Sequence, residues 1–169
     1  EGVTGIGSSA FSGCSNLSSI IIPSSVTSVG SFVFDNCCGL ESIIVDSGNT
    51  TYKSENNAIL TIDGKTLVVG CKNTTIIPSG VETIKQRAFC GCSGLTSITI
   101  PSSVTTVNYY AFQDCTSLES VTIENGATTI GNYMFKGCTS LKSLTIPNSV
   151  TSIGAYAFQG CTNLRTIII

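Results

Sequence analysis

Cysteine is the residue type in this sequence with the widest chemistry, and its spacing is regular. The chain has nine cysteines, and thiols can ligate metals, exchange disulfides or act as nucleophiles. Six of them recur at intervals of 23 residues, apart from one interval of 55 residues between the second and the third. These six, called the cysteine ladder below, are Cys14, Cys37, Cys92, Cys115, Cys138 and Cys161.

The rest of the sequence supplies few residues that could act with these thiols as a general base or as metal ligands. Histidine is absent, which removes the commonest general base and metal ligand. No Cys-x-x-Cys pair occurs, and the acidic residues are scattered singly. Stacked thiols at one corner of a fold need no chemistry, so we expect free structural thiols, with no catalytic residue, metal site or cofactor. Cys38, Cys71 and Cys90 lie off the ladder, and a Cys71–Cys90 disulfide between neighbouring coils stays open.

Composition excludes several classes of partner. The 169 residues are 41% hydrophobic and 11% charged, with a net charge of −2, so there is no basic patch for nucleic acid or anionic lipid. The longest apolar runs are far too short to cross a membrane. The chain begins in mid-pattern at "EGVTGIG", and we expect it to be a single-domain fragment of a longer array.

The 23-residue period predicts a solenoid. One unit reads "LKSLTIPNSVTSIGAYAFQGC" (141–161). Alternating apolar residues form a short strand, proline ends it, a second extended stretch follows, and Ala-Phe-x-Gly-Cys makes a tight helical turn. Stacked units predict a right-handed solenoid with a parallel concave sheet of about seven strands and short helical turns at the opposite corner. A left-handed residue should close each turn, at Gly13, Gly91, Gly137 and Gly160, with Asn36 and Asp114 replacing glycine.

Seven coils account for the chain. Their predicted bounds are 1–22, 23–45, 46–77, 78–100, 101–123, 124–146 and 147–169. The third coil is enlarged, and it contains "AILTIDGKTLVV", which predicts a β-hairpin with a type I′ turn at Asp63-Gly64. We expect this hairpin to replace the Ala-Phe-Cys corner and to project from the solenoid.

The pattern resembles the BspA-like, or treponemal-type, leucine-rich repeats. The segments that carry the resemblance are "SSVTSVGSFVF" (24–34), "SGVETIKQRAFCGCSGLTSITIP" (79–101) and the later copies, so it covers nearly the whole chain. Members of this family are typically parts of secreted or surface-anchored proteins associated with adhesion. The resemblance therefore implies a cell-surface or secreted location and an extracellular protein or glycan as partner.

Two surfaces are candidates for binding. If alternate strand residues point outward, the concave face carries a row of Ser or Thr beside a second row of apolar and Thr side chains. The first row is Ser19, Ser42, Thr74, Ser97, Ser120, Ser143 and Thr166; the second includes Ile21, Ile44, Ile76, Thr99, Thr122 and Thr145. Such residues also suit exposed strands that bind nothing.

The second candidate is an aromatic column at the turn corner. The residue before Ala-Phe is aromatic in four coils, at Phe32, Tyr110, Tyr133 and Tyr156, with Tyr109 alongside; Ser9 and Arg87 occupy the same position in two others. Tyrosine favours recognition surfaces, although neighbouring rings can also simply pack together. The phenylalanines of the same turns should form the core: Phe11, Phe34, Phe89, Phe112, Phe135 and Phe158.

The favoured function is a non-catalytic binding module. A passive spacer that carries another functional domain is the alternative, because a stacking repeat would look much the same. An enzyme is disfavoured, because no base accompanies any nucleophile. The exposed strand ending at Ile169 allows edge-to-edge self-association. Asn16, Asn49 and Asn73 match the N-glycosylation pattern, which matters only in a eukaryotic source.

Overall fold

A computed structural model, which describes residues 2–169, shows a β-solenoid of about seven turns and confirms the predicted fold class. The strands are β1 (Gly5–Ile6), β2 (Ser19–Ile22), β3 (Ser28–Val29), β4 (Ser42–Val45), β5 (Tyr52–Glu55), β6 (Ala58–Thr61), β7 (Thr66–Val69), β8 (Thr83–Ile84), β9 (Ser97–Ile100), β10 (Thr106–Val107), β11 (Ser120–Ile123), β12 (Thr129–Ile130), β13 (Ser143–Thr145), β14 (Ser152–Ile153) and β15 (Thr166–Ile168).

The concave side is built from the longer strands, which pair in parallel with their neighbours one coil away. β2 pairs with β4, β9 with β11, and β13 with β15, each in a register that aligns equivalent repeat positions. Proline ends the strands at Pro23 and Pro101, where its carbonyl accepts the N–H of the valine three residues later. The shorter strands form the second face, with β1 on β3, β10 on β8, and β12 on β14.

The turn corner differs from the predicted helical turn. Over residues 2–169 no helix forms, and the corner is a run of successive turns in which the N–H of Cys14 donates to the carbonyl of Phe11. A residue with positive φ at Ser9, and at its equivalents, interrupts the right-handed path. Each corner also bonds to the next coil, as the N–H of Phe112 donates to the carbonyl of Met134. The predicted left-handed closing residues are confirmed, since all six have positive φ.

The enlarged coil contains the predicted hairpin, β6 and β7, but the details differ from the sequence interpretation. Only Gly64 in its loop has positive φ, and its N–H donates to the carbonyl of Thr61, so the loop is a turn followed by a left-handed glycine rather than type I′. The sequence analysis also missed β5, which is joined to β6 through Asn56-Asn57, both at positive φ.

The resulting three-stranded meander is packed into the solenoid rather than projecting from it. Ala58, Ile59, Leu60 and Leu67 are fully buried, and β7 pairs in parallel with β8. The meander thereby lies where the core divides. One apolar cluster extends from Ile22 to Cys71 and the other from Ala58 to Ala157.

Candidate functional site

The aromatic column is a continuous stack in the structure. The rings of Tyr110 and Tyr133 stack with centroids 4.7 Å apart, and those of Tyr133 and Tyr156 stack at 5.0 Å. The guanidinium carbon of Arg87 lies 4.6 Å from the centroid of the Phe32 ring and 4.9 Å from that of Tyr110. The stack therefore runs from Phe32 to Tyr156, and Arg87 takes the place of one ring through cation–π contacts on both sides.

The backbone at each column position is left-handed. The φ angles lie between 58° and 63° at Ser9, Phe32, Arg87, Tyr110, Tyr133 and Tyr156. This conformation brings Cβ close to the following carbonyl, so a bulky L-residue there costs roughly 1–2 kcal/mol. The turn thus holds large side chains at a position that disfavours them.

The same turn has a second left-handed position four residues later, which provides an internal comparison. It is occupied by Gly13, Asn36, Gly91, Asp114, Gly137 and Gly160. Glycine, Asn and Asp are the residues that tolerate this backbone best. The geometry of the turn therefore does not explain the aromatic side chains at the first position.

Stacking determines which parts of the tyrosine rings a binding partner could contact. Tyr133 is covered on one face by Tyr110 and on the other by Tyr156, so its exposed portion is the ring edge. The ammonium of Lys136 lies 5.5 Å from the centroid of the same ring. Tyr156 is 57% exposed, and Tyr109 beside the column is 54% exposed. The corner therefore offers ring edges and a positive charge, and few open ring faces.

Arg87 also carries an ion pair that the sequence did not reveal. Its Nη1 donates to Oδ2 of Asp35 at 3.0 Å, and Asp35 is 7% exposed. Nothing in the local pattern connects two residues more than fifty positions apart. The only available signal was the arginine itself, at a position that is aromatic in four other coils.

The concave face has the predicted orientation, with one exception. Ile21 and Ile44 are cross-strand partners and are 68% and 49% exposed, while Ile76 is 60% exposed and bridges to Thr99. Thr122 and Thr145 are exposed as well.

The exception is Thr74, which was predicted to point outward. It is fully buried, because its hydroxyl accepts the N–H of Cys71 and donates to the carbonyl of Asn57 in the meander. The amide of Asn56 donates to the carbonyl of Ile76. Since β4 pairs with β2 and Ile76 is bonded to the meander instead, the apolar patch is divided rather than continuous.

The cysteine ladder has a repeated structural contact. The thiol of each of Cys37, Cys115, Cys138 and Cys161 donates to the carbonyl of the phenylalanine 26 residues earlier, at 3.0–3.2 Å. All nine cysteines are free thiols in the structure, including Cys71 and Cys90.

Burial holds these thiols in the neutral form. It raises the pKa of Cys90 and of Cys92 to about 12, and it raises the pKa of Cys115 well above the ordinary range. The thiolate is the reactive species, so these buried cysteines are poor nucleophiles at neutral pH. Cys14 and Cys38 are exposed.

The phenylalanines form the predicted core in the interior coils. Phe34, Phe89, Phe112 and Phe135 are buried, while Phe11 and Phe158 are partly buried in the outer coils. Asn49, one of the three glycosylation candidates, is 4% exposed, and its amide bonds the carbonyls of Pro23 and Val26. Asn16 and Asn73 are exposed.

The described part of the chain contains neither a metal-binding cluster nor a membrane-spanning helix. Across residues 2–169, no group of three or more His, Cys, Asp or Glu is arranged to hold a metal ion. Within that range no helix has the length and apolar character needed to cross a membrane.

Comparison with known proteins identifies a family of repeat proteins. The model of the BspA type leucine-rich repeat region matches residues 1–58 and 66–169 in six copies. A comparison with curated proteins finds no match.

Solved structures give the same picture. A leucine-rich cell surface protein from Faecalibacterium prausnitzii superposes with a TM-score of 0.81 at 28% identity, covering 98% of this chain and 51% of that one. A leucine-rich repeat protein from Bacteroides ovatus gives 0.68 at 32% identity, covering 99% and 41%. The pneumococcal vaccine antigen PcpA gives 0.81 at 24% identity, covering 90% and 38%, which is a likeness of fold. The chain spans about half or less of the length of each.

Proposed function

Because the chain belongs to the BspA-type leucine-rich repeat family, we propose that it is a non-catalytic binding module of a surface or secreted protein. Its task would be adhesion to a host or to another cell. The cell-surface location is supported by the Faecalibacterium prausnitzii protein, which is described as a cell surface protein.

One observation carries the proposal: the unequal filling of the two left-handed positions in each turn. A spacer needs only a turn that stacks, and glycine or asparagine would satisfy both positions equally. The chain instead holds Phe32, Tyr110, Tyr133 and Tyr156 at the unfavourable one. Strained backbone retained at a surface is a signal of function when local geometry does not require the residue.

The exposed chemistry favours a protein over a glycan as the partner. A sugar ring usually needs an open aromatic face, and both faces of Tyr133 are covered. Tyrosine is enriched at protein interfaces, and the ammonium of Lys136 beside Tyr133 adds a positive charge to the corner. We therefore propose an extracellular protein with an acidic and apolar surface, and a glycan becomes an outcome of the test.

A screen against arrayed extracellular proteins and glycans tests this function. The variant replaces Tyr110, Tyr133 and Tyr156 with serine, and the matched control replaces Ile21, Ile44 and Ile76 with serine. A saturable protein hit that is lost in the tyrosine variant and kept in the isoleucine variant is expected. Loss in the isoleucine variant alone would move the site to the concave face.

The passive spacer remains the second candidate. The side-chain stacking that forms the column would also shield the corner from water, which a spacer could use. A screen with no saturable hit, together with a large loss of stability in the tyrosine variant, would favour the spacer.

A further inference from the structure

Three sets of backbone hydrogen bonds join successive coils in the later part of the solenoid. Between coils 78–100 and 101–123, bonds join the two turn corners, β8 pairs with β10, and β9 pairs with β11. Between coils 124–146 and 147–169 the same three sets recur, with β12 on β14 and β13 on β15. Both boundaries are therefore held at the corner and along both strand faces.

The boundary between coils 101–123 and 124–146, called the junction below, is different. Among residues 2–169, no strand pairing joins β10 to β12 or β11 to β13. The turn corners stay bonded, as the N–H of Tyr110 donates to the carbonyl of Asn132. A cleft of about 360 Å³ lies on the concave side, lined by residues of both β11 and β13. Backbone bonds therefore join these two coils at the turn corner, and the strand faces lie side by side unpaired.

Side chains supply the other contacts across the junction. The phenylalanine and tyrosine stacks cross it, but they also cross the next boundary. Lys142 and Glu119 form an exposed ion pair, and such pairs contribute little to stability. Oε2 of Glu124 accepts the N–H of Ser102 at 2.9 Å. These contacts do not replace the two missing sets of strand bonds.

The repeat sequence changes at the same place. Other coils turn from the concave strand to the second face at Pro-x-x-Val, and the valine is fully buried at Val81 and Val104. The sequence at 124–127 is Glu-Asn-Gly-Ala instead, and alanine fills less of the core than valine. An added Cβ at Gly126 would lie 2.1 Å from the carbonyl oxygen of Ser102. The departure from the repeat therefore draws the two coils close at this corner, beside the strands that lose their pairing.

We propose that residues 124–169 form a separate cooperative unit, which unfolds and refolds while the preceding coils stay folded. Stability in a solenoid depends on contacts between neighbouring coils, so the boundary with the fewest bonds separates first. Tyr110 lies before the junction, and Tyr133 and Tyr156 lie after it. The aromatic column is therefore complete only while this unit is folded. The unit exists whether or not the column binds a partner, so this proposal and the proposed function can fail separately.

Native-state hydrogen exchange tests the unit, because equivalent amides report on each coil. In four coils the N–H of a leucine donates to the carbonyl of the ladder cysteine three residues earlier. These leucines are Leu95, Leu118, Leu141 and Leu164. Leu141 and Leu164 should share one protection factor, about tenfold or more below that of Leu118, because the opening that exposes them breaks fewer contacts. Simple fraying of the chain end would give a graded decrease from Leu118 to Leu164.

Urea gives a second measurement on the unaltered chain. The dependence of the exchange free energy on urea grows with the surface that an opening exposes. Leu141 and Leu164 should therefore have equal slopes, both smaller than the slope at Leu95. The proposal is overturned if Leu141 is as protected as Leu118, if the decrease is graded, or if the slopes of Leu141 and Leu164 differ.

The A127V variant tests the cause of the junction. It restores the valine of the other coils, so the difference in protection between Leu118 and Leu141 should shrink. A folded A127V chain with the same difference would overturn the role of Ala127. If A127V does not fold, the protection factors and urea slopes of the unaltered chain decide whether the unit exists.

Discussion

Two regions of the molecule use the same turn, yet different forces hold them together. One is the set of coils from residue 78 onward, and the other is the seam, where the corner at residues 32–36 meets the corner at residues 87–91 across the enlarged coil. In the later coils, backbone hydrogen bonds, phenylalanine stacks and thiol contacts repeat from one coil to the next. At the seam, Arg87 joins the corners through its ion pair with Asp35 and its contact with the Phe32 ring, and the meander adds a backbone bond from the N–H of Gly70 to the carbonyl of Ala88. A solenoid can therefore admit an insertion if specific side chains replace the lost backbone bonds.

The largest expected effect lies in the regular region. Phe112→Ala removes a fully buried ring stacked on both Phe89 and Phe135, and it should lower the free energy of unfolding by ~3–5 kcal/mol. Phe11→Ala, in a partly buried outer ring, should cost clearly less. Urea unfolding of the two variants measures the difference. Equal losses would contradict the claim that interior phenylalanines stabilise the fold more than outer ones.

At the seam, Arg87→Ala should lower the free energy of unfolding by ~2–3 kcal/mol, because it leaves Asp35 buried without its partner and breaks the column. The control is Lys142→Ala, which breaks an exposed ion pair with Glu119 and should cost at most ~1 kcal/mol. Thermal unfolding can compare them. Similar losses in both variants would show that the seam does not depend on Arg87.

Steric fit at the seam gives a further contrast. An added Cβ at Gly70 would lie 2.0 Å from Cε1 of Phe89, whereas Gly80 has nothing within 4 Å. Gly70→Ala should therefore destabilise by ~1–3 kcal/mol through overpacking, and Gly80→Ala should be close to neutral. Denaturant midpoints give the comparison, and a neutral Gly70→Ala would mean that the ring moves aside freely.

The buried thiols predict a loss of stability in alkali. Their folded-state pKa is raised above the unfolded value of 9.0, so the folded state favours the neutral thiol. The stability that depends on the neutral buried thiols is fully present below pH 9, and it is lost as pH rises toward the folded-state pKa near 12. At pH 10 the loss is ~1.4 kcal/mol per thiol.

Cys92→Ala isolates one such thiol. The variant should show a shallower decline of unfolding free energy between pH 8 and 10 than the unaltered chain, by about the contribution of one thiol. Cys38→Ala, which removes an exposed thiol, is the control. An identical pH dependence in all three proteins would contradict the burial of Cys92.

The sequence predicted features that repeat and missed those that occur once. The repeat period predicted where the phenylalanines, the cysteines and the left-handed glycines lie, because every regular coil has the same local geometry. Thr74 was misplaced and β5 was missed, since the meander buries them through contacts that no other coil makes. The Arg87–Asp35 pair was also missed, because the insertion brings together coils that are not consecutive.

The left-handed tyrosines show a different limit. Their spacing predicted a column, but tyrosine rarely adopts the left-handed backbone, so the residue type did not indicate the φ near 60° that the structure shows. The predicted tight helical turn was wrong for this reason. Positions where a residue adopts a backbone conformation that its type disfavours are good candidates for functional tests.

The most direct measurement pairs stability with binding in one variant, in which Tyr110, Tyr133 and Tyr156 are all asparagine. Asparagine relieves the left-handed backbone and removes the rings, so we expect an unfolding free energy within ~1 kcal/mol of that of the unaltered chain, together with lost binding to the partner. A variant that unfolds readily, or one that binds unchanged, would contradict the claim that the column is kept for recognition.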